Sequence, residues 1–162
     1  MGQLTDKDRL IFMAHSDLRV MVLRPVGTLS PEDLIEQFFL SLKRVERPWL
    51  YHRLVDMRRY DRDFGAEHVT TLAKRWQTVR GRHSCYAHVA LVSPVRCPRW
   101  HVAAPLPGFP NETLCRFTSY SYAFNWLTAT DRHAYLSQIA EVPADQARKP
   151  RPASFSGDLV LD

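Results

Sequence analysis

The sequence predicts an α/β protein built on a single mixed, mostly parallel β-sheet of about five strands, with helices packed on it. Three observations carry that prediction. Two apolar runs at the start, LIFMAHS (10–16) and RVMVLRPV (19–26), flank Asp17-Leu18 as a hairpin would. Segments of strand length then alternate with segments of helical period. The run YAHVALV (86–92) is almost continuously apolar, as a parallel strand buried on both faces should be.

The elements follow in order. Gly27-Thr28 ends the second strand, and Ser30-Pro31-Glu32-Asp33 starts a helix. Ser30 can accept from the first free amides, Pro31 fits the first helical position, and the two acids suit the positive end of the dipole. Leu34, Ile35, Phe38, Phe39, Leu42 and Val45 share one face of it, and Pro48 stops it. Residues 51–57 form a third strand. Val69, Leu72, Trp76 and Val79 then recur at helical spacing over 66–80, opposite Lys74, Arg75 and Arg80, and Gly81 ends that helix.

After the strand at 86–92, prolines 94, 98, 105, 107 and 110 rule out a regular helix across 94–110, leaving at most a short turn around Trp100 to Ala104. ETLCRFT (112–118) reads as a fifth strand. Ser119 caps a short helix that buries Ala123, Trp126 and Leu127, and a last helix over about 131–141 turns Leu136 and Ile139 inward. Residues 1–142 thus read as one domain. Residues 143–162 form a Pro- and Arg-rich tail, whose end, GDLVLD, fits an edge strand or a docking segment equally well.

Composition narrows the function. The chain has 162 residues, 45% of them hydrophobic and 24% charged, enough for one soluble core. A net charge of +5 permits an anionic partner without requiring one. MGQLTDKDRLIF lacks the pattern of a secretion signal, and no apolar stretch reaches the ~18 residues of a membrane span. Cys85, Cys97 and Cys115 are odd in number and unclustered, which suits reduced thiols and a cytoplasmic location.

Several stretches fall in a familiar order: VLRPVGTLSPEDL at 22–34, RLVDMR at 53–58, AEHVTTLA at 66–73, AHVALV at 87–92 and FTSYSYAFNWL at 117–127. Together they resemble the STAS-like domains, named for anti-sigma-factor antagonists, and among them the stand-alone bacterial members. The resemblance covers residues 8–128 at the level of pattern. It implies an αβ sandwich with helices mainly on one side of the sheet and a non-enzymatic, regulatory or protein-binding role. It also implies a phosphorylatable Ser or Thr at the start of the helix after the third strand. The matching loop, Met57–Gly65, has Tyr60 as its only hydroxyl, so the usual phospho-switch is not expected.

The strand RLVDM runs into a charged loop, and ligands of open α/β sheets sit beyond the carboxyl ends of parallel strands. Asp56 ends one such strand and Ser93 the adjacent one. Arg58, Arg59 and Tyr60 share the first loop, Arg96 and Arg99 the second, so a cleft there could hold an anion by charge-assisted bonds. The plainer reading, in which Asp56 pairs with an arginine and steadies the turn, outweighs it. Trp100, with Leu106 and Phe109, marks a second candidate, either an exposed partner-binding patch or a cover for the sheet, with the cover preferred.

Other chemistries fare worse. Asp56 has no visible acid–base partner, since His52 on the same face sits ~13 Å away along the strand. The basic set around Arg58 to Arg82 is diluted by Asp61, Asp63 and Glu67 and carries no nucleic-acid reader motif. His83, Cys85, Cys97 and His101 lack zinc-ligand spacing. Cys97, flanked by Arg96 and Arg99, is the thiol best placed to react with a probe, which does not make it catalytic. The expectation is therefore a protein without cofactor or metal that binds a protein partner or, alternatively, a small lipid or anionic ligand. Hydrolysis and nucleic-acid binding rank below both.

Overall fold

The computed structural model describes residues 7–94 and 101–140. The expected tail at 143–162 and Arg96, Arg99 and Trp100 lie outside the described residues. The strands are β1 (Arg9–His15), β2 (Val20–Val26), β3 (His52–Asp56), β4 (Ala87–Val92), β5 (Ala104–Pro105) and β6 (Glu112–Phe117). The helices are α1 (Pro31–Leu42), α2 (Ala66–Arg80), α3 (Tyr120–Thr128) and α4 (Arg132–Ala140).

The sheet runs in the order β1-β2-β3-β4-β6-β5. Strands β2, β3, β4 and β6 are parallel, while β1 lies antiparallel to β2 and β5 antiparallel to β6. The sheet is thus mixed, with an antiparallel pair at each edge, rather than mostly parallel, and it has six strands rather than five. The additional strand comes from the proline-rich stretch expected to be irregular. Two residues, one of them Pro105, suffice to pair at an edge, where a missing amide costs nothing in the ladder.

Helices lie on both faces rather than mainly on one. The crossovers β2-α1-β3 and β3-α2-β4 step the same way along the sheet, and right-handedness puts both on one side. There Met21 and Leu23 of β2 meet Ile35, Phe38, Phe39 and Trp76. After β6 no further parallel strand follows, and the chain folds α3 and α4 onto the opposite side. There Val20, Val22, Leu54, Val92 and Phe117 meet Ala123, Trp126 and Leu127. Phe117 and Leu127 are wholly buried, and each such side chain contributes about 1.5–3 kcal/mol.

The capping signals act as read. Ser30 Oγ accepts from the Asp33 amide at 3.1 Å, and Ser119 Oγ from the Tyr122 amide at 3.4 Å. Helix α1 ends at Leu42, before Pro48. Arg47 then takes a left-handed φ of 53°, and Pro48–Leu50 form a single 3-10 turn. Gly65 begins α2 without a side chain to cap it. His68 Nδ1 accepts from the Gly65 amide at 3.2 Å instead, and its Nε2 faces Glu32 of α1 at 3.1 Å. The nearest backbone neighbours of α2 are accordingly α1 and the Pro48–Leu50 turn, not the strands beneath it.

Candidate functional site

Neighbouring strand ends do come together. Asp56 is opposite Val92 in the β3–β4 register, and the Met57 amide donates to the Val92 carbonyl at 2.9 Å. The side chains, however, part across the sheet. Asp56 shares the α3 face with Leu54, whereas Ser93, one residue past Val92, lines the α2 face. No single cleft joins the two. Period-two alternation separates them as soon as the register is fixed.

On the α3 face Asp56 is an internal anchor. Arg58 Nε and Nη2 donate to its two oxygens at 2.8 and 2.7 Å, and the Arg58 amide adds a 3.2 Å bond. Arg24 approaches at 3.5 Å and stacks its guanidinium 4.4 Å over the Tyr120 ring. Burial alone would raise the Asp56 pKa. The bonds and charge of Arg58, with Arg24 behind them, outweigh burial and hold it below its ordinary value.

The rest of the charged loop is pinned as well. Gly27 N–H donates to the Arg59 carbonyl and the Asp61 amide to the Gly27 carbonyl, both at 2.9 Å. Gly27 has φ +80°, and a Cβ on it would lie 2.0 Å from Asp8 Oδ1. Tyr60, expected to face a ligand, is buried against Leu29 and Leu34, and its hydroxyl donates to the Leu29 carbonyl at 2.8 Å. Its apolar ring covers the loop's underside while the hydroxyl satisfies a buried carbonyl. Of the first loop's candidates, only Arg58 and Arg59 reach solvent.

The open space is on the other face. Helix α2 stands off from β3, β4 and β6, leaving a cleft of about 1000 Å³. Val55, Leu72, Leu91 and Leu114 line it and remain only half-buried. Phe64, Ser93 and Arg116 lie toward the strand ends, and Arg62 and Lys74 add exposed positive charge. The other end is closed by the turn at 106–109. There Phe109 is 5% exposed and packs into the core, and Gln77 Nε2 donates to the Gly108 carbonyl at 3.1 Å. Leu106 and Phe109 thus fold back over the sheet in place of a third crossover helix.

The floor at that end holds a buried charged group that sequence reasoning missed. Arg53 of β3 and Glu112 of β6 form an ion pair through Arg53 Nη2, each 5% exposed. Trp76 Nε1 donates to the other Glu112 oxygen at 3.1 Å. The Arg53 guanidinium lies 4.4 Å over the Trp76 ring and 5.7 Å from that of Phe109. Its Nη1 is buried without a hydrogen-bond partner among the described residues. The available signal was a cation near the start of β3, at the same parity as the inward-facing Val55.

A second polar cluster lies beneath α3. His52 Nδ1 accepts from the His88 amide at 3.0 Å, and Arg132 Nη2 sits 2.9 Å from His52 Nε2 while donating to the Leu127 carbonyl at 2.8 Å. Burial first, then the nearby Arg132 charge, pushes both imidazoles down to about 4. His101, packed 5.2 Å from the Phe117 ring, is lowered to about 4 by burial. These rings are neutral at neutral pH and far from the cleft face. His83 is elsewhere again, stacked 4.1 Å from Trp49.

Among the described residues no helix is long and apolar enough to cross a membrane. Comparison with protein-family models, curated proteins and solved structures gives no match.

Proposed function

We propose that this chain is a non-enzymatic α/β binding module that holds a small, mainly apolar molecule between α2 and the sheet. The observation that supports it is the cleft of about 1000 Å³ among the described residues, within the range of small-molecule sites. Folded interiors are close-packed, and a half-buried apolar wall of this size has little driving force to stay empty. Asp56, the best carboxylate in the sequence, is held by arginines and offers no base to a substrate.

Native mass spectrometry of freshly purified protein tests the reading. A retained non-covalent mass is expected, and Leu91→Trp, which projects an indole from the cleft floor into the space, should lower its retention. A bare mass, with no thermal shift from fatty acids, ketones or phosphates, would remove the proposal.

The second reading is the STAS-like regulatory module that acts through a protein partner. The outer edge of β1 favours it. Seven residues there have no strand beyond them among the described residues, and a partner could add one by main-chain bonding. Capture of a partner that is lost when Ala14→Pro removes an outward-facing amide from this edge supports it. Capture indifferent to that change counts against it.

A further inference from the structure

Resting on the binding-module reading, we infer that the cleft takes an amphipathic anion, one apolar chain with an anionic head, and that Lys74 and Arg116 hold the head at the mouth while the chain lies against the sheet.

The charges that line the cleft do not balance. Arg53, Arg62, Lys74 and Arg116 are met there by one acid, Asp63. Arg53 is neutralised by Glu112 and sealed beneath Trp76 and Phe109, out of a guest's reach. Arg62 adjoins Asp63 in the chain and lies within electrostatic range of Glu32 on α1. Lys74 and Arg116 are left. Both are exposed, and neither belongs to an ion pair among the described residues. Two accessible cations at the rim of an apolar cavity draw a negative head group to its mouth.

The fold puts these two on opposite lips of one opening. Lys74 belongs to the α2 stripe of Ala66, Thr70, Ala73 and Gln77 that borders the cleft. Arg116 follows Leu114 at the same parity on β6, beyond the residues that β5 pairs with. Gln77 donates to the Gly108 carbonyl and the Leu106 amide to the Glu112 carbonyl, so Gln77 stands near the start of β6. From that level Lys74 is ~4.5 Å toward the strand ends by helical rise, and Arg116 is ~13 Å by strand rise. An anion seated between those levels is within reach of both long side chains, and the guanidinium can grip it by two bonds.

The chain takes the floor. Val55, Leu91 and Leu114 form a half-buried apolar surface there. Val89 and Ser93 both line the cleft and stand four residues apart, ~13 Å along the strand. An extended chain advances ~1.2 Å per bond, so about ten carbons fill that length. The head stays where water reaches it, which avoids the cost of burying a bare charge deeper in the cleft.

Isothermal titration of the full chain with octanoate, octyl phosphate, octanol and octyltrimethylammonium at neutral pH and low salt tests the assignment. Octanoate, octyl phosphate or both should bind at least about fivefold tighter than octanol, as two exposed ionic contacts allow. The tighter of the two names the head as carboxylate or phosphate. Octyltrimethylammonium should bind most weakly. Lengthening hexanoate to octanoate should tighten binding roughly tenfold as the added methylenes are covered. In K74Q/R116Q the advantage of the anions over octanol should fall to within about twofold, with the affinity for octanol and the urea midpoint unchanged. Arg82→Gln removes an exposed cation that does not line the cleft and should leave the advantage intact.

Octanol binding as tightly as both anions, or an anion preference that survives in K74Q/R116Q or is lost equally in Arg82→Gln, overturns the assignment. No gain from hexanoate to octanoate overturns the seating of the chain. Binding of none of the probes, or affinity for octanol unaltered by Leu91→Trp, tells instead against the binding module itself.

Discussion

The two faces of one sheet are built to different standards. Beneath α3 and α4, Phe117, Leu127, Val92 and Trp126 are buried to within 1%. Beneath α2, Val55, Leu91 and Leu114 are only half-covered, and a cleft separates helix from strands. The difference teaches where stability and function divide. The side that ends the chain's crossovers is filled by two helices free to settle onto it. The side of the crossovers is held by short connections, and its third helix is replaced by the 104–110 segment, so space is left over.

Substitutions should sharpen that contrast. The largest effect is expected on the closed face, where Trp126→Ala should cost about 3–5 kcal/mol in urea unfolding. Leu91→Ala on the cleft face should cost roughly 1 kcal/mol, because its outer side already lacks neighbours. Equal losses at the two positions would break the comparison.

Arg53→Met comes close behind. It strands the Glu112 carboxylate and should cost about 3–5 kcal/mol, most of it returned by adding Glu112→Gln. Failure of the second change to restore stability would mean that the pair does not act as a unit. Asp56→Asn is expected to be milder, about 1–3 kcal/mol, since it weakens the Arg58 bonds without leaving a bare charge.

Acid should also weaken the closed face. His52, His88 and His101 have folded-state pKa values of about 4, below the ordinary 6.5. The unfolded chain therefore takes up protons first, so stability is complete above about pH 6.5 and falls as pH drops toward 4. Urea midpoints measured across this window should decline, and His88→Phe should flatten the decline. A profile level through the window would show these rings to be charged in the fold. The smallest effect is expected from Leu91→Trp, within about 1 kcal/mol of wild type, because the added ring enters existing space. A loss of several kcal/mol there would mean that the cleft is not available.

The order of elements was legible because each has its own local signal: Ser30 and Ser119 as caps, Gly81 as a stop, and Trp76 on an apolar stripe. Strand β5 was not, since two residues carry no period and prolines argue against pairing. Which helix lies on which face was not legible either. Strands such as AHVALV are apolar on both sides, and only topology assigns the sides. Asp56 was read correctly as the anchor of a charged turn. Its pairing with Ser93 in one cleft failed on parity, and Arg53 with Glu112, 59 positions apart, left no trace in local spacing. Tyr60 was misplaced because a loop hydroxyl looks the same in sequence whether it greets solvent or a carbonyl.

The reciprocal bonding of Gly27 with the backbone of Arg59 and Asp61 carries β2–β3 pairing past the nominal end of both strands. One doorpost of the cleft is thereby part of the sheet and cannot swing. Admission and escape of a guest must be paced by the opposite post, where α2 and the Gly108 turn meet through the Gln77 amide. Loosening that latch, together with the 2.9 Å bond from Arg80 Nη1 to the Pro110 carbonyl, should quicken exchange while leaving the sheet itself undisturbed.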